Sequence, residues 1–106
     1  MRESKFQSNL IRELEEMFPG CIILKNDANY LQGFPDLTIL YQKSWALLEC
    51  KRSLNEPFRP NQEYYLGMCD EMSFASMICP ENKEAVLYEL QFAFTPRRAT
   101  RISKRK

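Results

Sequence analysis

The sequence predicts an α/β domain: a small mixed sheet with helices on both faces, in the order α-β-β-β-α-β-α. Three observations lead there. Apolar residues near the start (Phe6, Leu10, Ile11, Leu14, Met17, Phe18) recur at helical spacing. Two largely apolar runs, Leu37 to Tyr41 and Trp45 to Lys51, are separated only by Gln42-Lys43-Ser44. Downstream, helical spacing alternates with one further short apolar run.

Taken in order, the first helix runs from Glu3 to Phe18 and is stopped by Pro19-Gly20, a pair that cannot continue it. Cys21-Ile22-Ile23-Leu24 reads as a short buried strand. A polar loop, Lys25 to Gly33, then brings the chain to Phe34-Pro35-Asp36. The two apolar runs read as a hairpin buried on both faces, and so as the central strands. A loop from Arg52 to Pro60 leads to a second helix over Asn61 to Asp70, Phe74 to Cys79 is a further strand, and Pro80 opens a last helix that Thr95-Pro96 ends.

At 106 residues with 44% hydrophobic content, the chain has the material for one core and hence one domain, residues 1 to 96, followed by a basic tail from 97 to 106. The tail holds six of the fifteen basic residues and no acid, leaving nine basic against fourteen acidic residues before it. A run of this kind suits nucleic acid phosphates, with simple solubilisation as the alternative. The first residues enter an amphipathic pattern and no long apolar run occurs, so a soluble cytoplasmic protein is expected. Cys21, Cys50, Cys69 and Cys79 form no Cys-x-x-Cys pair, and histidine is absent. A zinc site is thereby disfavoured, scattered thiols fit a reducing compartment, and hydrolytic chemistry would have to use carboxylates, lysine and a metal.

Side chains two apart on a strand share a face, so Glu49 and Lys51 project together while Cys50 points away. If Gln42 and Lys43 are the turn residues, Asp36 lies directly opposite Glu49, with Cβ atoms roughly 4.5–5.5 Å apart. The turn lacks the glycine or asparagine that a tight hairpin favours, which leaves a longer loop open. Two carboxylates that close repel unless a cation lies between them. Oxygen ligands without sulfur or imidazole select Mg2+ or Mn2+, and the backbone carbonyl of Cys50 is a candidate further ligand. Lys51 would then stand beside the metal, able to position water or stabilise charge on a phosphate. The structural alternative is a salt bridge of Lys51 with Glu49 or Asp36, at the cost of burying three ionisable groups.

Gly33-Phe34-Pro35-Asp36 followed by Leu48-Glu49-Cys50-Lys51-Arg52 resembles the signature of the PD-(D/E)XK nuclease superfamily. Together with the helix opening Glu3-Ser4-Lys5-Phe6-Gln7 and with Arg59-Pro60-Asn61-Gln62, it most resembles the VRR-NUC branch and the related Holliday junction resolvases. The resemblance spans about residues 3 to 79. It implies a restriction-endonuclease-like sandwich and a metal-dependent endonuclease, with Asp36 and Glu49 as metal ligands and Lys51 as the catalytic lysine. It also implies Glu3 as a further ligand, with Glu13, Glu15 and Glu16 as rivals, and Gln62 beside the site. Lys25, Arg52, Arg59 and the tail residues Arg97, Arg98 and Arg101 are candidate DNA contacts, and Tyr30 is a candidate for stacking on a base. The expected partner is branched or distorted DNA, cut by a homodimer. The alternatives are a nucleic-acid-binding module without activity and a nuclease subunit of a larger assembly.

Overall fold

The computed structural model describes residues 2–95. Its elements follow the expected order: α1 (Glu3–Met17), β1 (Ile22–Lys25), β2 (Leu37–Tyr41), β3 (Ser44–Cys50), α2 (Gln62–Met72), β4 (Ala75–Ile78) and α3 (Lys83–Phe94). The strands form one mixed sheet in the order β1-β2-β3-β4, antiparallel except for the parallel pair β3 and β4. Because β3 and β4 run in parallel, α2 must cross over between them, and this crossover covers one face of the sheet.

Leu47 and Leu48 show how the two faces are used. Leu48 packs in a cluster with Phe6, Leu10 and Leu14 of α1 and Val86, Leu87 and Leu90 of α3. Its neighbour Leu47 faces the other way, into a smaller cluster with Cys69 of α2 and Ala75 of β4. Helices therefore lie on both faces. Each large apolar side chain buried in this way contributes about 1.5–3 kcal/mol, so the three leucine and phenylalanine anchors of α1 suffice to dock it.

The β2–β3 hairpin closes through the two-residue turn Gln42-Lys43, with Tyr41 opposite Ser44 and Leu37 opposite Leu48. Gln42 takes a φ of 56°, the left-handed conformation that the tight turn demands of it in place of a glycine. The last pair, Leu37 with Leu48, leaves Asp36 and Glu49 as the next residues along the two strands.

Four readings are corrected. Of the hairpin expected to be buried on both faces, β2 is buried on one only, with Leu37 and Ile39 in the core and Leu40 exposed on the other. β1 is the edge strand and largely exposed, with Ile22 and Leu24 about half accessible; its unbroken apolar run resembles that of a central strand, but only one neighbour pairs with it. The last helix begins at Lys83, past Pro80, because Asn82 accepts the Cys79 amide at its Oδ1 (2.7 Å) and offers its carbonyl to Val86 (2.9 Å). The second helix starts at Gln62, since Asn61 sits in the left-handed region at φ 73°.

All four cysteines are free thiols, three of them buried, acting as small apolar side chains. Among the described residues no helix is long and apolar enough to cross a membrane. Arg97, Arg98, Arg101 and the boundary drawn at residue 96 lie outside the described residues.

Candidate active site

β3 ends on Glu49 and Cys50, and Lys51 follows directly. Glu49 and Lys51 are 3% and 2% exposed, a depth at which charged side chains occur only with partners. Lys51 is well provided. Its Nζ donates to Gln62 Oε1 at 2.8 Å and to the Pro57 carbonyl at 3.2 Å, and it stands 3.9 Å from Glu49 Oε2. Glu49 is only half satisfied: Oε2 accepts from Gln62 Nε2 at 2.8 Å, while the buried Oε1 has no partner.

Asp36 reaches the same place from the other strand. Its Oδ2 accepts the Cys50 amide at 2.9 Å, and its carbonyl accepts the Asn26 amide at 2.8 Å. The Asn26 side chain donates to the Pro35 carbonyl and meets Thr38, clamping the approach to Asp36. Since the N–H and C=O of one extended residue point the same way, the Cys50 carbonyl also faces the Asp36 side, while its thiol is buried in the α1 cluster.

A glycine holds the far wall. Gly33, at φ 90°, passes so close to the start of α2 that an added Cβ would lie 2.6 Å from the Asn61 Cβ and 2.7 Å from the Pro60 carbonyl. Only glycine satisfies both the conformation and the contact. This approach sets the first turn of α2, where Gln62 Oε1 also accepts the Arg59 amide at 2.7 Å.

Together these groups form the floor of a cleft of about 540 Å³ that also takes in Glu3, Glu56 and Arg59, with Asn29 and Gln32 from the loop before Gly33. Glu3 is thus brought to the site from α1. Of its rivals, Glu13 is committed to Lys83 at 2.8 Å, and neither Glu15 nor Glu16 lines the cleft. Of the candidate DNA contacts, Arg59 lines the cleft. Lys25 and Arg52 do not: Lys25 is exposed at the end of the edge strand, and Arg52 pairs with Glu56.

Glu56 is the residue that sequence reasoning missed. It lies in the Arg52–Pro60 loop, where no periodicity marks it, and holds that loop by accepting the Arg52 amide at 2.6 Å. Its other oxygen is 4.0 Å from Lys51.

The electrostatics follow from burial and crowding. Desolvation first, and the Asp36 charge second, raise the Glu49 carboxyl to about 8. Desolvation likewise raises Asp36 against the opposing Cys50 amide and Lys51, and raises Glu3, with Asp36 and Glu56 adding to it. All three acids are thus shifted upward, because burial and mutual repulsion outweigh the opposing effect of Lys51.

A divalent cation fits this donor set. The orphaned Glu49 oxygen and the Asp36 carboxylate are hard ligands, and Mg2+ commonly binds through one or two carboxylates with water and phosphate oxygens completing its shell. Among the described residues no three acids, cysteines or histidines gather into a ready-made cage, so water and substrate would supply the remaining ligands. The chain matches no family model, no curated protein and no solved structure.

Proposed function

We propose that the chain is a Mg2+- or Mn2+-dependent endodeoxyribonuclease of the PD-(D/E)XK type, with a restriction-endonuclease-like fold and a preference for branched or distorted DNA. The observation that carries this reading is the buried Glu49 with its unpartnered Oε1, set beside Asp36 and Lys51 on the floor of an open cleft. A structural ion pair would satisfy its members. This one leaves an acid oxygen bare, at a cost of several kcal/mol for any charge it carries.

Asp36 and Glu49 would hold the cation through their carboxylate oxygens, with the Cys50 carbonyl as a further oxygen donor, while Glu3 lines the same cleft without completing a three-acid cage. When bound, the ion would polarise a phosphoryl oxygen and lower the pKa of a coordinated water. Lys51 is held by Gln62 at the cleft floor, where it can orient an attacking water or balance charge growing on the phosphate. Gln62 positions both partners with one side chain, accepting from Lys51 and donating to Glu49. Being an amide, Gln62 carries no proton of its own to gain or lose. Arg59, on the cleft wall, suits a neighbouring phosphate.

The test is a cleavage panel of supercoiled, linear, flap and four-way DNA with Mg2+, Mn2+, Ca2+ or chelator. Nicking is expected with Mg2+ and Mn2+ alone, and Ca2+ should support binding without cleavage, because its looser shell positions water poorly. Binding without cleavage under any metal would assign a nucleic-acid-binding module instead.

The cleft would cut one strand at a time, so paired incision of a four-way junction needs two copies related by a two-fold axis. A dimer that nicks junctions at paired positions faster than linear duplex is expected in sedimentation and rate comparisons. A monomer cutting both equally would remove the resolvase-like part of the proposal.

A further inference from the structure

The loop between β1 and β2 carries more structure than a simple connection requires. The Asn29 amide donates to Asp27 Oδ1 at 2.9 Å, the Tyr30 amide to the Asp27 carbonyl at 3.1 Å and the Phe34 amide to the Leu31 carbonyl at 3.1 Å. Phe34 meets the Tyr65 ring edge-on, with centroids 5.6 Å apart, and Gly33 is wedged against Asn61. The loop is therefore built as two successive turns anchored to α2.

At its tip stands Tyr30, 88% exposed. Among the described residues its ring stacks on no other ring, and its hydroxyl makes no hydrogen bond. It contributes nothing to either core. Asn29, directly before it, and Gln32, two residues after it, line the cleft that holds Asp36, Glu49 and Lys51, so the loop that carries the ring forms part of the cleft wall. A large, solvated aromatic on a fixed loop beside a site for phosphate chemistry is a platform for a planar partner.

Resting on the nuclease reading, we infer that Tyr30 stacks on a nucleobase next to the scissile phosphate, so that the preferred substrate presents an unpaired or unstacked base there. Within a continuous duplex both faces of each base are covered by its neighbours, and an aromatic side chain finds no free face. An opened base at a bulge or branch point offers one. Asn29 and Gln32 of the same loop line the cleft and offer amide donors and acceptors to the edge of such a base.

The experiment uses the full chain with Tyr30→Ala, Tyr30→Phe and Tyr30→Trp, in chelator for binding and in Mg2+ for cleavage. The DNA is a duplex with a short unpaired bulge carrying 2-aminopurine, compared with its fully paired counterpart. Tyr30→Ala is expected to weaken binding to the bulged duplex about tenfold, with little effect on the paired one, and to abolish the stacking-induced quenching of 2-aminopurine. Tyr30→Phe and Tyr30→Trp should restore both, which a merely structural hydroxyl would not allow. Equal losses on the two DNAs, or unchanged quenching in Tyr30→Ala, would overturn the inference while Mg2+-dependent cleavage left the nuclease reading standing. Absence of both binding and cleavage by the wild-type chain would overturn the two together.

Discussion

Replacing Asp36, Glu49 or Lys51 singly by alanine is expected to lower Mg2+-dependent cleavage by at least about a hundredfold, measured as plasmid nicking under single turnover. The three act as one unit: two carboxylates to hold the ion and one ammonium beside them. A double variant should therefore be hardly worse than either single one. Each removal also disturbs packing, because Asp36 caps the buried Cys50 amide and Lys51 is held among Gln62, Pro57 and Glu49. Conservative changes separate the two effects. Asp36→Asn keeps an acceptor for the Cys50 amide, and Lys51→Met keeps much of the aliphatic volume. Both should stay folded by circular dichroism and still fail to cleave. Wild-type turnover by the folded variants would refute the site.

Much of this candidate site was legible in the sequence. Alternation along a strand put Lys51 on the same face as Glu49, whereas the register rested on which residues form the turn: the two-residue turn Gln42-Lys43, one of the loop lengths the sequence left open, sets Leu37 opposite Leu48, one step short of Asp36 and Glu49. Gln62 and Glu3 were reached only through resemblance, since nothing in their local pattern says that a helix start will fold back over a strand end. Glu56 was not legible: a loop has no period, and its role depends on where Arg52 and Lys51 come to lie. The exposure of β1 was misread for a related reason. Cys21-Ile22-Ile23-Leu24 has the composition of a central strand, and whether a strand is central is decided by the neighbours it acquires.

The second large effect concerns stability. The folded chain keeps a proton on Glu49 up to about pH 8, whereas the unfolded chain releases it near the ordinary 4.5. Between those values the native state binds more protons than the unfolded state, so stability must fall as pH rises. The contribution is fully present below about 4.5 and lost through about 8, and the raised Asp36 and Glu3 carboxyls act in the same direction. The metal-free chain is therefore expected to lose thermal stability steadily from pH 5 to pH 8. Glu49→Gln, which carries no charge to desolvate and retains an acceptor for Gln62, should flatten that slope and raise the metal-free Tm at pH 8 by at least about 5 °C, while abolishing cleavage. Mg2+ should compete with the proton at the same oxygens. It is expected to raise the Tm of the wild-type chain more at pH 8 than at pH 5 and to leave Glu49→Gln almost unmoved. Thermal melts of both proteins across this range, with Mg2+ and with chelator, decide the matter. A pH-independent wild-type Tm, or a Glu49→Gln chain less stable than wild type at pH 8, would mean that Glu49 is an ordinary buried partner of Lys51, ionised and satisfied without a metal.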